Sequence, residues 1–173
     1  NDPCLAPKIV VTASYSCPST TWEEEGEESS GCVVPDRDTL RTYVSFVNAS
    51  AQSSISDPAC ASTNISDWDV GRVTSLEGVF QDMNHVGFVD LSKWDTSNVT
   101  SLADAFFGAT QFNSNLSGAF DVSNVVSMEN AFREAEAFVG DGLETWNVSR
   151  VVSMAQAFRK AEAFVGQGLA TWE

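Results

Sequence analysis

Positive charge is scarce in this chain, cysteine stops early, and no long apolar run occurs. Nine lysines and arginines stand against 24 acidic residues, for a net charge of −15. Nucleic-acid binding depends on neutralising phosphates, so that balance argues against it. It also disfavours anionic membrane surfaces. No stretch approaches the roughly 18 apolar residues of a membrane span, so membrane insertion is not expected. His85 is the one histidine, in a segment that varies between repeats, and reads as a surface residue. A nucleophile elbow, a phosphate-binding glycine loop and an H-E-x-x-H pair are all missing. No catalytic residue, cofactor site or metal site is therefore expected. The chain opens at Asn1 without methionine or an apolar leader. Any signal peptide is expected to have been removed or to lie outside this sequence.

What cysteine there is sits in one place. Cys4, Cys17, Cys32 and Cys60 all fall in the first 60 residues. An even count in a short irregular segment reads as two disulfides formed in an oxidising compartment. Three pairings are open, one of which ties Cys60 back to Cys32. Spacings of 13, 15 and 28 contain no C-x2-4-C pair, which argues against zinc. Five N-x-S/T sequons, at Asn48, Asn64, Asn98, Asn115 and Asn147, agree with secretion through a glycosylating route.

Three regions follow from composition. Residues 1–35 form a disulfide-pinned arm, with a β-prone run at Lys8–Ser16 and an acidic loop at Thr20–Gly31. Residues 36–64 hold a cap helix and a Ser-rich linker. Asp36 is a good N-cap, and Leu40, Tyr43, Val44 and Val47 fall at i, i+3, i+4 and i+7, which predicts a helix over Asp36–Asn48. Residues 65–173 are a repeat array of about four turns plus the start of a fifth.

The repeat is the dominant feature. Trp68, Trp94, Phe120, Trp146 and Trp172 are spaced 26 residues apart without a slip. A fixed period of this length signals a stack of identical units, each unable to bury its own apolar face. Around each aromatic the pattern L-x-x-W-x-V-x-x-V alternates as a short strand would. A serine follows at Ser75, Ser101, Ser127 and Ser153. Apolar residues such as Leu76, Val79, Phe80 and Met83 then fall at helical spacing. The expected fold is an α/β repeat solenoid, leucine-rich-repeat-like, with one short parallel strand and one short helix per 26-residue turn and a disulfide-rich N-terminal cap. Its core is an internal ladder of Trp68, Trp94, Phe120, Trp146 and Trp172 with Phe80, Phe106, Phe132 and Phe158. Between aromatic and valine an outward row runs through Asp69, Asp95, Asp121 and Asn147, and Glu173 would extend it. As a metal site this ladder would be weak; as a solvated row its charge would be relieved by Arg72 and Arg150.

Trp94–Phe106, WDTSNVTSLADAF, resembles the W-D-V-S-N-V-T-x-M repeat of the BspA-like leucine-rich-repeat surface proteins of bacteria and protists. The resemblance covers residues 65–173. GRVTS at Gly71–Ser75 and Phe120 in place of tryptophan are departures. It implies a right-handed solenoid, a secreted or cell-surface address, and roles in adhesion and in matrix or partner binding. The expected function is that of a non-enzymatic extracellular structural or adhesive protein. Its partners would be other copies of itself or other surface proteins. Residue 173 falls where a fifth turn begins, so either a longer array or another subunit is expected to cover that turn. In the second case copies associate head to tail into a fibre or surface layer. The alternative is a recognition module that binds a glycan or protein on the strand-lined face.

Overall fold

A computed structural model describes residues 31–85, 89–166 and 168–172. The expected arm at Lys8–Ser16, most of the acidic loop, Cys4, Cys17 and Glu173 lie outside the described residues. The cap follows its sequence closely. Helix α1 spans Arg37–Asn48, and the Asp36 carboxylate accepts the Thr39 N–H at 2.8 Å. Its buried stripe of Leu40, Tyr43 and Val44 lies on the first turn of the array, with Tyr43 edge-on to Trp68 at 5.8 Å. A second short helix, α2 at Pro58–Ser62, starts on an Asp57 cap with proline in its first turn. The Cys32–Cys60 disulfide joins the two sides of the cap, with both cysteines fully buried. Beside it the Gln52 side-chain amide donates to the Cys60 and Thr63 carbonyls at 3.2 and 2.6 Å.

The array departs from the expected strand-and-helix solenoid. Among the described residues there is no β-strand and no sheet, and both α-helices belong to the cap. The segment expected to be a helix, Leu76–Met83, is instead a run of overlapping tight turns. Val79, Gln81 and Met83 each donate N–H to the carbonyl three residues back. The alternate N–H groups, on Leu76, Gly78, Phe80 and Asp82, leave the turn. They bond the carbonyls of Ser101, Ala103, Ala105 and Phe107 at 2.8–3.1 Å. An α-helix needs those donors for its own i−4 carbonyls, so the two arrangements exclude each other. Left-handed backbone at Gly78 and Asp82, repeated at Asp104 and Gly108 and at Asn130 and Glu134, breaks the helix once every four residues.

The expected strand fails for a related reason. Trp68, Val70 and Val73 do point inward while Asp69 stays exposed. However, the Asp69 carboxylate accepts the Gly71 N–H, and Val73 N–H closes on the Val70 carbonyl at 2.8 Å. Such turns bend the chain before a ladder can form. Pairing is reduced to isolated parallel bridges at Val33–Asp69, Ser101–Ser127 and Ser127–Ser153. The repeated serines close two-residue turns instead of capping helices: Ser75 accepts the Glu77 N–H and Ser101 the Ala103 N–H, both at 3.2 Å.

Consecutive turns stack through rings and backbone together. Phe80, Phe106, Phe132 and Phe158 follow one another at centroid distances of 5.0, 5.0 and 5.5 Å, with planes within 11°. Phe112, Phe138 and Phe164 form a parallel file at 5.9 and 6.2 Å. Each buried indole must place its N–H on an acceptor. Trp94 donates to the Ile65 carbonyl at 2.8 Å, Trp146 to Leu116 at 3.1 Å and Trp172 to Leu143 at 2.9 Å, each in the turn before, while Trp68 donates to Thr63 at 3.2 Å. Phe120 has no such donor and keeps only the ring stack on Trp146, at 5.8 Å. Thr96, at a position held by valine in other turns, is buried and satisfies its hydroxyl on the Asp121 carbonyl.

Candidate functional site

The corner around each aromatic carries the polar residues that repeat. On its far side Asp69, Asp95, Asp121 and Asn147 each turn a side-chain oxygen back onto an N–H two residues ahead. The acceptor distances are 2.9, 3.0, 2.8 and 3.2 Å. On the near side Asn64, Asp90 and Asn115 do the same for Ser66, Ser92 and Ser117. Pairs of these Asx turns therefore bracket Trp68, Trp94 and Phe120. Short polar side chains serve here because they satisfy local backbone donors that no strand or helix uses.

This geometry gives the acidic row a structural occupation. The Ser97 hydroxyl and N–H beside Asp95 hold its carboxyl below the usual carboxylate value, and Ser92 does the same for Asp90. A side chain at Gly71 would lie 3.3 Å from an Asp69 oxygen and 3.6 Å from an Asp95 oxygen, so the two carboxylates flank that glycine. Among the described residues no three His, Cys, Asp or Glu side chains converge as metal ligands would. Among the described residues neither Arg72 nor Arg150 makes an ion pair with the row, and Arg150 donates to the Asn124 side-chain oxygen at 2.7 Å. The ion pairs that cross between turns among the described residues are Lys93–Asp67 at 2.5 Å and Lys160–Glu134 at 3.1 Å. His85 is exposed, and its N–H donates to the Asn48 side chain at 2.9 Å.

Among the described residues, open cavities lie along the corner. One of about 320 Å³ lies at Asp67, Trp68, Asp69, Lys93 and Asp95. A second, about 440 Å³, is lined by Asp95, Gly118, Phe120, Asp121, Trp146 and Asn147, among others. Another, about 360 Å³, lies at Thr145, Trp146, Asn147 and Thr171. The indoles in their walls are almost wholly buried, so little ring face is open to a ligand there.

Sequence reasoning missed a second polar file. Asn98 donates its side-chain N–H to the Gly71 carbonyl and Asn124 to the Ser97 carbonyl, both at 2.8 Å, each reaching into the preceding turn. The signal was present, since Arg72, Asn98, Asn124 and Arg150 share the 26-residue period.

A stack of 26-residue turns held by backbone, ring and carboxamide ladders is thus what the described residues define. The chain belongs to the family described as Mycoplasma protein of unknown function, DUF285, whose model matches residues 48–172. No curated protein and no solved structure matches it significantly. No helix among the described residues is long and apolar enough to cross a membrane.

Proposed function

We propose that the chain is a non-enzymatic structural or adhesive protein of the BspA-like surface type. It is exported to the cell exterior and acts through protein–protein contacts, which include head-to-tail association of copies. One observation supports this above others. The turns at residues 76–82, 102–108 and 128–134 each send four N–H groups forward to carbonyls of the next turn, with fewer bonds running back, as from Val126 to Thr100 and Val152 to Val126. A stack of this kind is directional and favours heterologous contacts over symmetric ones. Electron microscopy of the purified, oxidised chain without ligand tests the reading, and regular fibres or sheets are the expected result. Isolated particles at every concentration would remove the assembly part.

A second reading, a recognition module for a glycan or protein ligand, draws on the aligned cavities beside Asp69, Asp95 and Asp121. It predicts single particles that bind a surface, and substitutions along that row would abolish the binding.

A further inference from the structure

The five sequons fall into two structural groups. Asn64, Asn115 and Asn147 are exposed, and each folds its side-chain oxygen onto the N–H of its own sequon serine, two residues away. None of their Nδ2 atoms has a hydrogen-bond partner among the described residues. Asn98, which is exposed as well, and Asn48 bridge distant segments instead, Asn98 through Nδ2 and Asn48 through its side-chain oxygen alone. The Asn98 Nδ2 donates to the Gly71 carbonyl, 27 residues back. Asn48 is half-buried at the end of α1 and accepts the His85 N–H, 37 residues ahead.

Resting on the extracellular reading above, we infer that Asn64, Asn115 and Asn147 are the N-glycan acceptors of the folded chain and that Asn48 and Asn98 are not. In the transfer step Nδ2 attacks the anomeric carbon of an oligosaccharide carried on a lipid diphosphate. The C–N bond forms as the C–O bond to diphosphate breaks. The lipid diphosphate leaves with the electron pair, and Nδ2 gives up one proton. At the three Asx-turn sites the reacting nitrogen is free, so a glycan disturbs no hydrogen bond. At Asn98, although the residue is exposed, the same nitrogen is already bonded to the Gly71 carbonyl of the preceding turn at 2.8 Å. A glycan wedged there opposes closure of the stack, which depletes that glycoform from the folded, exported population. At Asn48 it would pull α1 from the loop it anchors. Asn147 also lines two of the cavities described above, so a glycan on it stands in the path of any ligand seated there.

The test is to secrete the full chain from a eukaryotic host that installs N-glycans. Amidase cleavage then turns each occupied asparagine into aspartate, which peptide mass spectrometry reads. High conversion at residues 64, 115 and 147, with at least tenfold less at 48 and 98, is expected. Conversion at Asn98 or Asn48 equal to any of the three would overturn the inference, as would a chain bare at all three. The same measurement on protein from its source cells separates the two claims. A bare chain there, with selective occupancy in the host, would count against the export route while the site selection stands.

Discussion

The cap and the array contain the same apolar spacing and make opposite use of it. In α1 the stripe of Leu40, Tyr43, Val44 and Val47 belongs to a helix whose donors are spent inside the helix. In the array Leu76, Val79, Phe80 and Met83 repeat that spacing, yet alternate donors are spent on the next turn. The cap gains its long-range connection from a covalent link, Cys32 to Cys60 across 28 residues. The array gains it from noncovalent ladders renewed at every turn. An i, i+3, i+4 pattern therefore specifies which side chains go inside, while the destination of the backbone N–H groups decides what the segment becomes.

The sharpest way to break that contrast is to remove one ladder member. Trp94→Ala empties a fully buried site and takes a donor from the Ile65 carbonyl, so it should cost about 3–5 kcal/mol in urea unfolding. Hydrogen exchange should quicken in the turns on both sides. A loss below about 1 kcal/mol would mean that the turns do not depend on one another. Replacing Cys32 and Cys60 together by serine comes next, at about 3–4 kcal/mol if the closed loop acts by restricting the unfolded chain. Exchange should then rise in α1 while the amides of Leu102, Asp104, Phe106 and Gly108 stay protected. Equal loss of protection in both regions would show that cap and array unfold as one unit.

Acidification should produce the smallest effect, and most of it in the array. Asp90, Asp95 and Glu134 there, and Asp36 in the cap, have pKa values below their ordinary 3.8 or 4.5 in the folded chain. Their causes are local: serine hydrogen bonds at Asp90 and Asp95, Lys160 at Glu134, and the Thr39 N–H at Asp36. As pH falls, the unfolded chain takes up these protons first. The contribution is complete above about pH 4.5 and is lost as pH drops through the folded values. The melting temperature should fall modestly between pH 5 and pH 3. A rise over that range would mean that relief of the −15 net charge outweighs the Asx-turn carboxylates.

The aromatic files were legible because a buried ring has few substitutes and the 26-residue period marks every one of them. The cap helix was legible from Asp36 and its apolar stripe. The array backbone was not, because linked tight turns and a helix place apolar side chains at the same spacing. Gly78, Asp82, Asp104, Gly108 and Asn130 were the available clue, being residue types that tolerate left-handed backbone. Glu134, Gln156 and Lys160 take the same conformation with no such preference, which hides the rule in the later turns. The acidic row read as a charge ladder because its period was visible, whereas the turn that each aspartate closes depends on a backbone N–H that sequence does not display. Of the three cysteine pairings, the described residues contain Cys32–Cys60.

Between the described turns the backbone and ring ladders repeat from one turn to the next, while the side-chain bonds vary. A unit copied in frame would find its backbone and ring partners already waiting. A unit deleted would leave its neighbours able to rejoin. The near identity of residues 125–146 and 151–172 is what recent duplication on those terms would leave behind. Length is then an inherited variable, adjustable one ring spacing at a time. Lineages could tune how far such a protein reaches without reinventing how it folds.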